Sequence, residues 1–267
     1  MKNKKVLITG GEGFLGTYLV DYLSQKGGHE ITVFDKLPSS RVGHFRGNIL
    51  SKEDVQTVFG KYGPFHTVYH LAGAMPSKAV SGDLTWKTNV SGTINAVSEA
   101  VRSGAESFVF TSSNVTYGIA ESLPVNEETP IHPLEVYGKS KAQAERELEK
   151  YKKHINVGIF RCPVITGVGR LGLQAILFEF ISENRNVYVL GDGRNRYQFV
   201  DATDVSVALE LASHQKGFDI YTIGGDGVMP LRDIYQKVID EAQSRSKIVS
   251  LPKAPALAIL SLLDKLT

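Results

Sequence analysis

"KVLITGGEGFLG" occupies residues 5–16. "KVLIT" (5–9) is an apolar, β-branched run and predicts a buried strand. From Phe14 apolar residues recur at helical spacing, predicting a helix over 13–27. Between the two, Gly10, Gly13 and Gly16 form GxxGxxG. Missing side chains let the backbone turn tightly and approach a bound group. The helix start then offers free N–H groups and a favourable dipole to an anion.

The same rhythm continues outward. "EITVFD" (30–35) predicts a second strand, and "SKEDVQTVFGKYG" (51–63) a helix with Ser51 as N-cap and Glu53 and Asp54 in its first turn. "HTVYHLAG" (66–73) is a strand running into a small-residue loop, and strands follow at 107–113 and 155–160, with helices at 84–103 and 135–153 between them. Alternating strands and helices imply an α/β, doubly wound parallel sheet of Rossmann type, with helices on both faces and right-handed crossovers. Ligands of such sheets bind beyond the carboxyl ends of the strands. After about residue 160 the rhythm loosens and glycines and prolines become frequent. This pattern predicts a dinucleotide-binding domain over 1–160 plus about 199–220. A smaller substrate lobe is expected over 161–198 plus 221–267, with 199–213 returning a helix to the main domain.

The 267 residues suffice for a large core. Thirty basic against 28 acidic residues gives no signal for nucleic acid or for a membrane surface. Lys2, Lys4 and Lys5 precede only "VLIT", too short for a signal-peptide core or a membrane span. The single cysteine, Cys162, permits no intrachain disulfide and fits a cytoplasmic setting; its apolar neighbours make it a buried small hydrophobe. The seven histidines are scattered, and no metal site is expected.

Asp35 ends the second strand, 19 residues past Gly16. A carboxylate there accepts hydrogen bonds from ribose hydroxyls and repels a 2′-phosphate, so the expected cofactor is NAD. Lys36 and Arg41 keep NADP as a minor option.

GxxGxxG, "HLAG" (70–73), "NVSGT" (89–93), "SSNVTYG" (112–118), "YGKSK" (137–141) and "RYQFVDATDV" (196–205) stand in an order that resembles the extended short-chain dehydrogenase/reductases. More narrowly, it resembles their NAD-dependent epimerase/dehydratase group, which acts largely on nucleotide sugars. The resemblance covers about 200 residues and implies a catalytic set of Ser113, Tyr137 and Lys141. Tyr137 and Lys141, at i and i+4, project from one helix face. A phenol with a pKa of about 10 is a poor base at neutral pH; a neighbouring ammonium stabilises its phenolate. Tyr137 is then the base for a substrate hydroxyl proton while hydride leaves the same carbon. Ser113 bonds the reacting oxygen, and Lys141 also bonds the nicotinamide ribose. Around the cofactor the resemblance places Phe14 and Leu15 of the loop, Asn48 and Ile49 near the adenine, and Leu71, Ala72 and Gly73 after the third strand. Thr111 and Pro163 complete the cofactor contacts with Asn89, which matches an asparagine that braces the site in this family. Asn48 replaces the family's usual aspartate, and its amide oxygen can still bond the adenine amino group.

For the substrate the same resemblance implies Ala74, Ser113, Asn114 and Tyr137, with Arg196 gripping a diphosphate through its guanidinium. Dehydratases of the group carry an aspartate and a glutamate after the catalytic Ser/Thr. Asn114 and Val115 stand there and can serve neither as acid nor as base. The expected activity is therefore a C4 epimerase working through a keto intermediate. A nucleotide-sugar 4-keto reductase and a 3β-hydroxysteroid-dehydrogenase-like oxidoreductase are alternatives, and a non-catalytic NAD-binding protein is a third. Where many nucleotide-sugar enzymes have Asn, three residues after Arg161, this chain has Val164. The apolar tail "LPKAPALAILSLLDKLT" (251–267) reads as a core or dimer helix, and it stops earlier than family members usually do, as a truncated or naturally short lobe. A homodimer through the helices at 84–103 and 135–153 is the family-based expectation. The charged run "KAQAERELEKYKK" could equally be a solvated face.

Overall fold

The computed structural model describes residues 3–169 and 174–255. The expected tail helix lies mostly outside them. The chain begins β1 (Lys4–Thr9), α1 (Phe14–Lys26), β2 (His29–Asp35), β3 (His44–Arg46), α2 (Lys52–Tyr62), β4 (Thr67–His70) and α3 (Gly82–Arg102). It continues with β5 (Ser107–Ser113), a 3₁₀ turn (Asn114–Tyr117), α4 (Val136–Glu149), β6 (Asn156–Cys162) and β7 (Val164–Thr166). Then come α5 (Gln174–Ser182), β8 (Val187–Leu190), β9 (Arg196–Tyr197), β10 (Phe199–Asp201), α6 (Ala202–Ala212) and β11 (Phe218–Thr222), and after them β12 (Met229–Pro230), α7 (Leu231–Glu241) and β13 (Ile248–Leu251).

Two compact units result, Met1–Ile165 with Val200–Gly224, and Thr166–Phe199 with Gly225–Thr267. The boundaries fall at 165, 199 and 224 against the expected 160, 198 and 220, and the last keeps all of β11 in the first unit. There a seven-stranded sheet runs in the order β11-β6-β5-β4-β1-β2-β3, with every neighbouring pair parallel. Two of its strands, β3 and β11, have no counterpart among the expected strands. Both are edge strands, where the alternation signal is weakest.

Successive side chains of a strand point to opposite faces. Leu7, Phe34, Val68, Phe108 and Phe110 accordingly join a core with Val55, Phe59, Val97, Ala144 and Leu148. Val6, Ile8, Val33, Tyr69 and Val109 join the opposite core with Leu19, Leu23, Val205 and Leu209. Each such side chain contributes about 1.5–3 kcal/mol by leaving water. The register aligns Thr9 with both Phe34 and His70, and His70 with Phe110. The loops following β1, β2, β4 and β5 therefore emerge at one edge of the sheet.

The helix expected over 135–153 ends at Glu149; residues 151–154 are turns. The strand at the start of 66–73 ends at His70, where Leu71 N–H still reaches Thr9 O before the chain opens into the expected small-residue loop. In the second unit β8 pairs with β13 and β9 with β12, around a small core of Leu177, Ile181, Val187 and Ile239. Among the described residues no helix is long and apolar enough to cross a membrane.

Candidate active site

The glycine loop is held from beneath. Gly10 N–H donates to Phe34 O, and Gly13 N–H to Gly10 O. Gly10 has φ +73°, and a Cβ on it would lie 2.6 Å from Ala72 N. One on Gly16 would lie 2.6 Å from Gly11 Cα, where α1 crosses the loop. These two glycines are required by backbone packing. Gly13 differs: a Cβ there meets only Gly10 O, and Gly13 caps α1 with no side-chain bond and no acid in the first turn. The starts of α2, α3 and α6 are instead capped by Ser51, Ser81 and Asp201. The first turn of α1, with Phe14 and Leu15 half-buried, thus starts at a glycine and carries no acidic side chain, a start that suits a diphosphate.

Asp35 does more than the spacing suggested. Its Oδ2 accepts Glu12 N–H at 3.0 Å and its Oδ1 accepts Leu37 N–H at 2.9 Å. The carboxylate therefore sets the loop, and each oxygen keeps a further lone pair for a ribose hydroxyl. Arg41, the minor NADP option, is drawn to Glu12 at 3.5 Å and Asp21 at 3.3 Å. Lys36 is exposed.

Asn48 folds back on its own chain, with Oδ1 accepting Leu50 N–H at 3.0 Å. Ile49 is buried against Gly92 of α3. Its side chain is a core residue first, a role that spacing alone does not reveal.

Beyond β4, Ala72 N–H reaches Thr9 Oγ1 at 3.4 Å, and Leu71 is half-buried. Asn89 is 1% exposed. Its Oδ1 accepts Ala74 N–H, and its two amide protons go to Ala74 O and Ser140 Oγ at 3.0 and 2.9 Å. Ser140 Oγ in turn donates to Tyr137 O at 2.7 Å. Asn89 is thus a brace between the 72–74 loop and α4, with no amide proton left over.

Lys141 is 4% exposed. Its ammonium donates to Thr111 O at 2.8 Å and lies 4.6 Å from the centre of the Phe110 ring. A Cβ on Gly73 would stand 3.3 Å from Lys141 Nζ, so Gly73 leaves the space the ammonium occupies. Burial pushes the Lys141 pKa down to about 8, against the opposing pull of Cys162 and Glu145. Tyr137 is half-buried in the first turn of α4. A Cβ on Gly138 would lie 3.0 Å from Val115 O, so that turn rests directly on the 3₁₀ turn following Ser113. Ser113 ends β5, and its Oγ accepts Val115 N–H at 3.4 Å. Asn114 is exposed beside it, and Pro163 is half-buried after β6.

Arg196 stands in the second unit on β9, exposed, with its guanidinium donating to Val228 O at 2.8 Å. The structure also shows what the charged run on α4 concealed. Glu145 is buried and paired with Arg161 at 2.8 Å. Its position at i+4 from Lys141, with Ala144 and Leu148 beside it, was the available signal. Among the described residues no group of three or more His, Cys, Asp or Glu is placed to hold a metal ion.

The model of the NAD dependent epimerase/dehydratase family matches residues 6–224. The uncharacterized protein y4nG of Sinorhizobium fredii is 35% identical over 98% of this chain and 67% of its own length. UDP-glucuronic acid decarboxylase 1 of Danio rerio is 29% identical over 94% of this chain and 64% of its own length. The chain thus spans about two thirds of these two relatives. Among solved structures, the Thermus thermophilus UDP-glucose 4-epimerase in complex with NAD superposes with a TM-score of 0.79, at 26% identity, over 94% of this chain and 87% of that one. With its motifs inside the matched span and its sheet wound as such enzymes require, the chain belongs to the NAD dependent epimerase/dehydratase family.

Proposed function

We propose that this NAD-dependent enzyme is a nucleotide-sugar C4 epimerase, with Tyr137 as base and acid, Lys141 as its electrostatic support and Ser113 as the hydrogen-bond partner of the reacting oxygen. The observation that carries this reading is Lys141: a lysine buried among β5, Gly73 and Phe110, one turn from a half-buried tyrosine. Burying an ammonium is costly, and its charge is well used beside a phenol that must ionise. NAD, when bound, supplies the hydride acceptor and donor. The glycine loop leading into α1, with no acid in its first turn, and Asp35 fit its diphosphate and adenosine ribose. Tyr137 takes the hydroxyl proton as the carbinol carbon is oxidised and returns it when the ketone is reduced. Ser113 holds the oxygen in both directions. For inversion, the ketone must present its other face between the two steps. Asn114 and Val115 offer no acid–base pair for eliminating water, which argues against a dehydratase.

UDP-glucuronic acid decarboxylation is a second reading, favoured by the Danio rerio relative. A C4 ketone lies β to the C6 carboxylate, and such an acid loses carbon dioxide without another catalytic group. Both readings share the same first half-reaction. Arg196 as the diphosphate clamp, a homodimer formed through α3 and α4, and a cytoplasmic location suited to the buried thiol of Cys162 complete the proposal. Purified protein is to be incubated with NAD and UDP-glucose, UDP-galactose or UDP-glucuronic acid, and the products followed by NMR. Interconversion of the first two supports epimerisation; a UDP-pentose supports decarboxylation. Tyr137→Phe should lower turnover by about 10²–10⁴-fold with NAD affinity unchanged; near-normal turnover refutes the assignment.

A further inference from the structure

Glu145 and Arg161 lie outside the catalytic set, yet they are joined to every element that carries it. Both side chains are 5% exposed. Arg161 Nη2 donates to Glu145 Oε2 at 2.8 Å, and its Nε faces both carboxylate oxygens at 3.2 and 3.3 Å. Ser112, the neighbour of Ser113, donates its hydroxyl to Glu145 Oε1. On the other side, Arg161 Nη1 donates to the Tyr117 hydroxyl at 3.3 Å, and the guanidinium lies 5.0 Å from the Tyr117 ring centre. That hydroxyl gives its proton to Asn126 O at 3.0 Å and lies 2.7 Å from Thr222 Oγ1. Thr222 N–H donates to Glu127 at 2.7 Å, which holds the 118–134 segment to β11.

One buried ion pair thus ties α4 to β5, to β6 and, through Tyr117, to the segment following Ser113. Stability alone is a poor account of it, since an apolar pair of similar volume holds a core as well or better. What a guanidinium and a carboxylate add is fixed direction, because several bonds must be satisfied in one plane. Glu145 follows Tyr137 by eight residues and Lys141 by four, on the same face of α4. A shift of α4 along or about its axis would break the Ser112 and Arg161 bonds together.

We propose that Glu145 and Arg161 are positioning residues that set α4 against the end of β5, and through that setting fix the reach between the Ser113 hydroxyl and the Tyr137–Lys141 pair. The inference rests on the catalytic roles proposed above for those three residues. Both side chains are buried and engaged with protein groups, so they act through the helix and the strand.

Two variants test it. Arg161→Lys keeps the charge but loses the planar fork. The double variant Glu145→Met/Arg161→Met removes both charges together, so neither is left buried alone. Each is compared with the parent and with Tyr137→Phe on whichever of UDP-glucose, UDP-galactose or UDP-glucuronic acid the parent turns over fastest. Both variants should lose at least roughly tenfold in kcat, because small misplacements of reacting groups cost that much or more. KM and the Kd for NAD should stay within about threefold, and melting temperature nearly unchanged. Crystal structures of the parent and Arg161→Lys with NAD bound add a readout that needs no substrate. The separation of Ser113 Oγ from the Tyr137 hydroxyl should differ by about 0.5 Å or more, the tolerance of a working site. Parent-like kcat with an unchanged separation overturns the proposal. So does a loss of kcat that merely tracks a lost fold or lost NAD affinity, which marks the pair as structural only. If Tyr137→Phe itself keeps normal turnover, it is the catalytic assignment that fails, and the crystallographic separation still decides whether the pair positions these groups.

Discussion

Replacing His70 by glutamine should remove a specific part of the protein's acid sensitivity. His70 is 0% exposed on β4, with Nδ1 2.7 Å from Thr9 Oγ1 and Nε2 3.0 Å from Thr93 Oγ1. Thr93 gives its own proton to Asn89 O at 2.6 Å, so it can only accept from His70. The ring is therefore neutral with its proton on Nε2, and Nδ1 accepts from Thr9. Burial, with the Lys141 ammonium adding to it, pushes the His70 pKa down from 6.5 to about 3. The folded state refuses a proton that the unfolded chain takes up below pH 6.5. The stabilisation is fully present above pH 6.5 and is lost as the pH falls toward 3. At pH 5 the unfolded state gains about 1.5 pH units of protonation, which is about 2 kcal/mol.

Glutamine can offer an amide N–H to Thr93 and its carbonyl oxygen to Thr9, but it does not titrate. At pH 8 His70→Gln should cost about 2 kcal/mol, mainly from lost packing of the ring on Phe108 and Phe110 at 5.5 and 5.8 Å. Urea unfolding followed by Trp86 reports on the right unit, because it is the only tryptophan and stands on α3. The gap between parent and variant should shrink from about 2 kcal/mol at pH 8 to near zero at pH 5. Other carboxylates and histidines titrate in both proteins and cancel. A gap of the same size at both pH values refutes the neutral state assigned to the buried His70.

Gly16→Ala should abolish NAD binding and destabilise the fold by about 3 kcal/mol or more, because its Cβ has backbone rather than a movable side chain against it; calorimetry and a melting curve check both. Asp35→Asn should reduce the preference for NAD over NADP by roughly tenfold in paired titrations, yet NADP should not bind tightly, since Arg41 stays engaged with Glu12 and Asp21. Turnover should fall as the pH rises above about 8, where Lys141 loses its proton and with it the support for the Tyr137 phenolate. A pH profile of kcat/KM that stays level to pH 10 contradicts that role.

Much of this molecule is legible in one dimension. A strand, three spaced glycines and a helix follow from local sterics and hydrophobic periodicity, as do Ser51 as a helix cap and Asp35 at a strand end. The order of the motifs carried the family. What could not be read was which polar groups meet. Glu145 sits in a run of charges that looks solvated, and only the arrival of Arg161 on β6 makes its burial tolerable. Ile49 was expected beside the adenine and Asn89 as a brace of the site. The fold shows the partners that spacing could not name: Ile49 packs on Gly92, and Asn89 ties the 72–74 loop to Ser140 of α4. The edge strands β3 and β11 went unread because so little of an edge is buried. The sequence by itself determined the central strands and the helices between them, their order and the chemistry the side chains could offer. Tertiary structure alone decided the charge state of Lys141 and His70 and the partnership of Glu145 with Arg161, because desolvation and hydrogen-bond direction depend on neighbours distant in the chain.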